Sequence, residues 1–136
     1  MKQVVTGVAV VVIVGCVTSL QSYAGDDGHV QKGKSLYDKY CTPCHGAGGK
    51  PGSAVFAATK KPIDLRTYQQ RNGGQFPSGR WWDLAFSSRP RGVHAEVWER
   101  IRNDQSETET IERDIMARGV VADIKEYVMW IQNKNK

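Results

Sequence analysis

The side chains in this chain with the clearest chemical potential are two thiols and an imidazole in the run Cys41-Thr42-Pro43-Cys44-His45. Two cysteines at this spacing can bond to the two vinyl groups on one edge of a porphyrin, and the histidine that follows can bind the iron. The run therefore predicts one covalently attached haem c, with Cys41 and Cys44 as attachment residues and His45 as the proximal iron ligand. The haem would carry the redox chemistry, and the protein would supply ligation, orientation and electrostatics.

Thiol–disulfide exchange and zinc binding also use a C-x-x-C pair. The first places the pair in a βαβ context, and no strand pattern leads into Cys41. The second needs further ligands, but the remaining cysteine, Cys16, lies in a segment expected to be removed, and His29 and His94 have no ligand spacing to the motif. Haem attachment is the preferred interpretation.

The N-terminal segment resembles an export signal. Lys2 precedes an apolar run from Val4 to Val17, and a polar stretch ends in Ser22-Tyr23-Ala24, a small-x-small cleavage pattern. We predict a signal peptide over residues 1–24 and one haem-binding domain over residues 25–136, a length suited to a single domain.

A second interpretation of the same segment stays open. Ile13-Val14-Gly15-Cys16 matches a lipobox, so residues 1–15 could be a lipoprotein signal with Cys16 lipidated. Retention of the leader as an anchor is a third alternative. All three place the protein in the periplasm or elsewhere outside the cytoplasm, with membrane attachment only through Cys16 or the retained leader.

The charge of the chain bears on its partners. The formal net charge is +5, with no tract of lysine or arginine. This mild, diffuse charge gives no support to nucleic-acid binding, and it favours acidic redox partner proteins at the encounter stage. A membrane or periplasmic oxidoreductase is one such partner.

Helical periodicity covers most of the expected mature chain, and no alternating pattern is long enough for a sheet, so the predicted fold class is all-α. The predicted helices are one ending at Tyr40, one from Asp64 towards Gln70, one from Ser78 or Gly79 through Phe86, one at about 107–118 and a last one from Val120 to Ile131. Ser106 and Glu109 form a capping box for the fourth helix, and Gly119 is its predicted stop.

With these features, the chain resembles the class I cytochromes c over nearly all of the expected mature protein. In that family a small residue and an aromatic precede the haem motif, and Gly33 and Tyr37 match them. Ile124 and Tyr127 match the family's aliphatic and aromatic pair on the last helix, which crosses the first. The resemblance implies a cytochrome c-like fold of three to five helices with long loops around one haem.

A bacterial monohaem subgroup is a narrower match. It resembles this chain at Pro62-Ile63-Asp64-Leu65, at 71–77 and at Ile131-Gln132. The resemblance implies that the Pro62 carbonyl accepts a hydrogen bond from the proximal imidazole and that Trp98 lies near the haem. The subgroup's axial methionine, however, falls on Ala95 in this chain.

Three alternatives therefore remain for the sixth iron position. His94 is next to the vacant position, in what we expect to be a loop, and is our prediction for the ligand. Met116 is the alternative, although a helical methionine usually fills a gap in packing. The third alternative is an open or water-bound iron. His29 would reach the haem only if the N-terminal tail folded over it.

The predicted function depends on which group occupies the sixth iron position. A His45/His94 pair predicts an electron carrier, not an enzyme, with a lower reduction potential than a histidine–methionine protein. An open site would instead indicate a haem-based sensor or small-ligand-binding protein, or the cytochrome subunit of a larger oxidoreductase. Trp81, Trp82 and Phe86 are expected to pack around the porphyrin, with an exposed Trp81–Trp82 docking patch as the alternative.

Overall fold

The computed structural model describes residues 27–52, 62–86, 93–105 and 109–133. These ranges contain five helices, α1 (Asp27–Tyr40), α2 (Thr42–His45), α3 (Ser78–Phe86), α4 (Val93–Asn103) and α5 (Thr110–Asn133). Short 3-10 turns lie at Ala47–Gly49, Leu65–Thr67 and Gln70–Asn72. The described residues contain no strand, so the all-α prediction is confirmed at the level of fold class. The predicted leader and the lipobox cysteine Cys16 lie outside the described residues.

The crossing of α1 and α5 is the most extensive contact between elements. At the crossing, a Cβ built on Gly33 would lie 2.0 Å from the Asp123 carbonyl oxygen and 3.1 Å from the Tyr127 Cβ. Only a residue without a side chain allows the two backbones to approach this closely. One helical turn further on, the Tyr37 and Tyr127 rings pack with their centroids 5.1 Å apart. Packing at the crossing therefore requires glycine at position 33.

The core is built largely on one face of α5. Its buried apolar residues recur at helical spacing and form one apolar stripe along the helix predicted from Val120 to Ile131; they are Val121, Ile124, Tyr127, Val128 and Ile131. The rest of this cluster is Ala117 on α5, Tyr37 and Tyr40 on α1, Ile101 on α4, and Leu65. Trp81, Trp82 and Trp98 are partly buried and pack against it. The C-terminal helix therefore holds α1 and α4 together.

The prediction of two helices separated at Gly119 is wrong, because α5 runs unbroken from Thr110 to Asn133. A glycine in a helix interior costs only about 1 kcal/mol relative to alanine. Ala117 and Val121, on either side of Gly119, are both buried in the same core. Their packing outweighs the weak local preference for a stop. The capping residue Ser106 lies outside the described residues.

The predicted helix from Asp64 towards Gln70 is also wrong, since this stretch forms two short 3-10 turns. In an α-helix the Gln69 N–H would bond to the Leu65 carbonyl. Here the side-chain amide of Gln132 lies between the two groups, accepting from Gln69 N at 2.9 Å and donating to Leu65 O at 2.5 Å. A distant side chain on α5 therefore replaces the local helical bond.

Two further elements bear on the site. The predicted helix from Ser78 to Phe86 is confirmed as α3. The stretch after Val93, expected to be a loop around His94, is instead the helix α4. Its faces differ: Val97, Trp98 and Ile101 pack on the core, whereas Glu96 and Glu99 are exposed. This amphipathic spacing forms a helix once the core is present.

Candidate haem site

The C-x-x-C-H motif occupies a helical turn that follows α1. Cys41 N donates to Tyr37 O at 2.8 Å, and His45 N donates to Cys41 O at 2.8 Å. Residues three apart on a helix share a face, so the turn brings the thiols of Cys41 and Cys44 to one side. Both thiols are free. The turn thus presents two thiols side by side, the arrangement that attachment to one porphyrin edge requires.

The chain turns sharply away after the motif. Gly46 has φ of 71°, and a Cβ on it would lie 2.0 Å from the Lys50 carbonyl oxygen. Its own carbonyl accepts a hydrogen bond from the Tyr37 hydroxyl at 2.9 Å. Tyr37 is fully buried against Tyr127. The motif is therefore anchored at both ends to the α1–α5 crossing.

His45 is held by a backbone carbonyl. Its Nδ1 lies 3.1 Å from Ile63 O, and because a carbonyl only accepts, Nδ1 carries the proton. The Nε2 lone pair is then available to a metal. The expected carbonyl was that of Pro62, and the structure corrects it by one residue. Burial lowers the pKa of His45, the Ile63 hydrogen bond raises it and His94 lowers it, for a net decrease that favours the neutral, ligating form.

His94 lies beside His45. The two rings are within 7° of parallel, and their centroids are 6.3 Å apart. An atom bound linearly between two imidazoles by bonds of about 2.0 Å would separate the centroids by roughly 6 Å. Burial also lowers the pKa of His94, which favours its neutral form. The spacing of the two rings fits a single metal atom between the two histidines.

The remaining residues that were considered for the site are Met116, His29 and Trp98. Met116 is on the N-terminal half of α5 with 48% of its surface exposed. His29 is on the first turn of α1, where Nδ1 is 3.0 Å from the Asp123 carboxylate. Trp98 is one turn after His94 on α4 and packs on the core. Of the three histidines, the structure brings His45 and His94 together and separates His29.

The geometry also bears on the other chemistries of a C-x-x-C pair. Burial raises the pKa of the Cys41 thiol to about 12, Cys44 adding to the rise and Arg100 opposing it. Thiol–disulfide enzymes need the reverse, a lowered pKa at the attacking cysteine. The described residues contain no group of three or more histidine, cysteine, aspartate or glutamate side chains placed to hold a metal ion. A zinc site would need such a group, whereas a haem iron needs only one or two protein ligands.

Donors that sequence reasoning missed lie near His45. In the described part of the chain, the buried atoms Tyr68 Oη and Trp81 Nε1 have no protein partner. Tyr68 also lines a cavity of about 220 Å³ with Ile63, Arg71, Asn72 and Arg80. Buried donors almost always have an acceptor. The carboxylates of a haem would supply one, so these residues fit the group.

These donors had little signal in the sequence. Arg71 and Arg80 belong to different elements, and Tyr68 lies in a segment whose helical prediction was wrong. The Ile63 carbonyl is a backbone group, which any residue at that position would supply. Ile63 connects these donors to the motif, because it lines the same cavity as Tyr68, Arg71 and Arg80 and its carbonyl contacts His45.

Comparison with known proteins found no matching family model, no matching curated protein and no matching solved structure. None of the helices in the described ranges has the length and apolar character needed to cross a membrane.

Proposed function

We propose that this chain is an exported monohaem cytochrome c of class I type that passes single electrons between redox partner proteins. Haem c would be attached through Cys41 and Cys44, and its iron would be ligated by His45 and His94. The observation that carries the proposal is the pair of parallel imidazoles 6.3 Å apart, one of which directly follows the two thiols. In this role the protein is an electron carrier and not an enzyme.

The surrounding residues support ligation by two imidazoles. When bound, the haem supplies a one-electron iron couple. The Ile63 carbonyl orients the His45 ring and makes it a stronger electron donor. Helix α4 holds His94 on a rigid element that packs on the core through Val97, Trp98 and Ile101. Two imidazole ligands would give a lower reduction potential than a histidine–methionine pair.

The proposals of export and of acidic partners rest on the amino-acid sequence. The predicted leader at 1–24 indicates a periplasmic or other extracytoplasmic location, where haem c is attached in bacteria. Mass spectrometry of the native protein would distinguish cleavage after Ala24 from lipidation at Cys16. The net charge of +5 favours acidic partners, such as a membrane or periplasmic oxidoreductase.

The test is near-infrared magnetic circular dichroism of the ferric protein, because this measurement distinguishes axial ligand pairs. We expect a low-spin bis-histidine signal in the wild type. His94→Ala should convert the ferric iron to a high-spin form and, once the iron is reduced, allow it to bind carbon monoxide readily. His29→Ala is the matched control: its side chain is 61% exposed and contacts Asp123, so the signal should not change.

Other outcomes would replace parts of the proposal. A histidine–methionine signal would remove His94 as ligand and make Met116 the first residue to test. A high-spin wild type would favour the sensor, or the subunit of a larger oxidoreductase, over the electron carrier. A chain that leaves the haem-attachment pathway without covalent haem would contradict the proposal altogether.

A further inference from the structure

Gln132 is a buried polar side chain at the C-terminal end of α5, with 4% of its surface exposed. Its Oε1 accepts from Gln69 N at 2.9 Å, and its Nε2 donates to Leu65 O at 2.5 Å and to Val128 O at 2.9 Å. Both amide protons and the amide oxygen are therefore used. A buried amide satisfied in this way has a well-defined position.

The two bonds from Gln132 to the 65–69 turn end close to the proximal histidine. Leu65 is two residues after Ile63, whose carbonyl accepts from His45 Nδ1. Leu65 is buried, and a Cβ on Gly49 would lie 3.1 Å from its Cβ. The backbone between Ile63 and Leu65 therefore has little freedom while Gln132 holds Leu65.

Apart from the bond between His45 and Ile63 O, the other hydrogen bonds that shape this segment are local to it. Asp64 Oδ1 accepts from Arg66 N at 3.0 Å, and Arg71 Nη2 donates to Asp64 O at 2.8 Å. These bonds shape the segment but do not connect it to a helix. Those of Gln132 tie it to α5, the helix that carries most of the core.

We propose that Gln132 is a positioning residue that sets the reduction potential through the hydrogen bond between His45 and the Ile63 carbonyl. The inference rests on the proposed haem ligation by His45. Without the Gln132 amide, the Gln69 N–H loses its acceptor and can bond to the Leu65 carbonyl as in an α-turn, beside the 3.2 Å bond that Tyr68 N already donates to that carbonyl. That closure would move the Ile63 carbonyl relative to His45. A weaker bond from Nδ1 makes the imidazole a poorer donor to ferric iron, so the potential rises.

The experiment compares the haem-loaded full chain with Gln132→Met, a side chain of similar length that has no amide. The matched control is Gln70→Met, an exposed glutamine in the same segment. We expect a positive shift of the reduction potential in Gln132→Met only. The near-infrared ligand signature should stay that of the wild type, because the ligands themselves are unchanged.

A second variant keeps the test decisive if Gln132→Met folds poorly. In Gln132→Glu the protonated carboxyl can donate to Leu65 O and accept from Gln69 N, whereas the carboxylate can only accept. Its potential should match the wild type at low pH and rise as the carboxyl ionises, against the fall that the new negative charge alone would cause. A role in stability alone would leave only that fall.

The two proposals fail in different ways. Absence of covalent haem in the wild type would overturn both. An unchanged potential in a folded, haem-loaded Gln132→Met, or a potential in Gln132→Glu that falls or stays constant as the carboxyl ionises, would overturn the positioning role and leave the electron-carrier proposal standing.

Discussion

At the scale of single residues, the candidate site is defined by how each nitrogen of His45 is used. Nδ1 is committed to the Ile63 carbonyl, so Nε2 is available to iron. His94 is parallel to it at a spacing that suits one metal atom. Under the proposed haem ligation, the residue at position 94 therefore sets the sixth ligand and, with it, the reduction potential.

Replacing His94 with methionine tests this dependence. We expect His94→Met to raise the reduction potential, because a thioether stabilises ferrous iron relative to an imidazole. A redox titration measures the shift, and the near-infrared spectrum should change to a histidine–methionine signature. A potential that does not change would show that His94 is not an iron ligand in the wild type.

At the scale of elements, the crossing of α1 and α5 carries the site. The C-x-x-C-H motif continues directly from α1, and Tyr37 ties Gly46, the residue after the motif, back to that helix. The crossing depends on the absence of a side chain at Gly33 and on the ion pairs of the buried Asp123 with Lys32 and His29.

Gly33→Ala should destabilise the protein despite the higher helix propensity of alanine. The new Cβ would lie 2.0 Å from the Asp123 carbonyl oxygen, and backbone cannot move aside as a flexible side chain can. Overpacking of this kind costs about 1–3 kcal/mol. Chemical denaturation would measure the loss in the free energy of unfolding, and a variant as stable as the wild type would contradict the close approach.

Gly119→Ala is the matched substitution on α5. Nothing lies within 4 Å of a Cβ at this exposed position, so the change affects helix propensity alone. We expect stabilisation by about 0.5–1 kcal/mol. The same denaturation experiment checks it. Loss of stability here would indicate that Gly119 has a role beyond the continuous helix.

Asp123 makes the stability of the α1–α5 crossing depend on pH. Burial raises the pKa of Asp123, but its hydrogen bonds and charge interactions with Lys32 and His29 more than offset this, and the net pKa is lowered. Its contribution to stability is therefore complete above the unfolded pKa of about 3.9 and is lost as pH falls through the folded value. The free energy of unfolding should be measured between pH 5 and 2, a range that extends about one to two pH units on either side of that pKa. Over this range it should fall less steeply with acid in Asp123→Asn than in the wild type. The exposed Glu112→Gln is the control, and an unchanged slope in Asp123→Asn would contradict the assignment.

At the scale of the whole molecule, the haem would complete the structure. A chain of this length has a small core, and a large apolar cofactor adds contacts that its own residues do not supply. Tyr68 Oη and Trp81 Nε1 are buried with no partner among the described residues, which is costly unless a bound group accepts from them.

Removing both attachment cysteines should therefore weaken the fold. We expect Cys41→Ser/Cys44→Ser to lack covalent haem and to melt at a lower temperature, because a group that binds only the folded state stabilises it. Far-ultraviolet circular dichroism on heating measures the melting. Thr42→Ser, between the two cysteines, is the control that should retain attached haem. An unchanged melting temperature in the double variant would show that the protein core is self-sufficient.

The amino-acid sequence was sufficient for patterns that act over one or two helical turns. These are the C-x-x-C-H spacing, the helix ending at Tyr40 and the apolar stripe at the C-terminus, where side-chain period and burial agree. Local signals were misleading where distant packing opposed them. Gly119 does not end a helix whose two halves pack on one core, and Gln132 prevents the 64–70 stretch from forming an α-helix.

Only the tertiary structure decided how His45 is held and which histidine lies opposite it. The Ile63 carbonyl is a backbone group, identical in type to its neighbour at Pro62, so spacing could not distinguish them. His94 reaches His45 because α4 packs on the core. A residue pattern determines which groups a segment carries, but contacts between distant segments determine which of those groups meet.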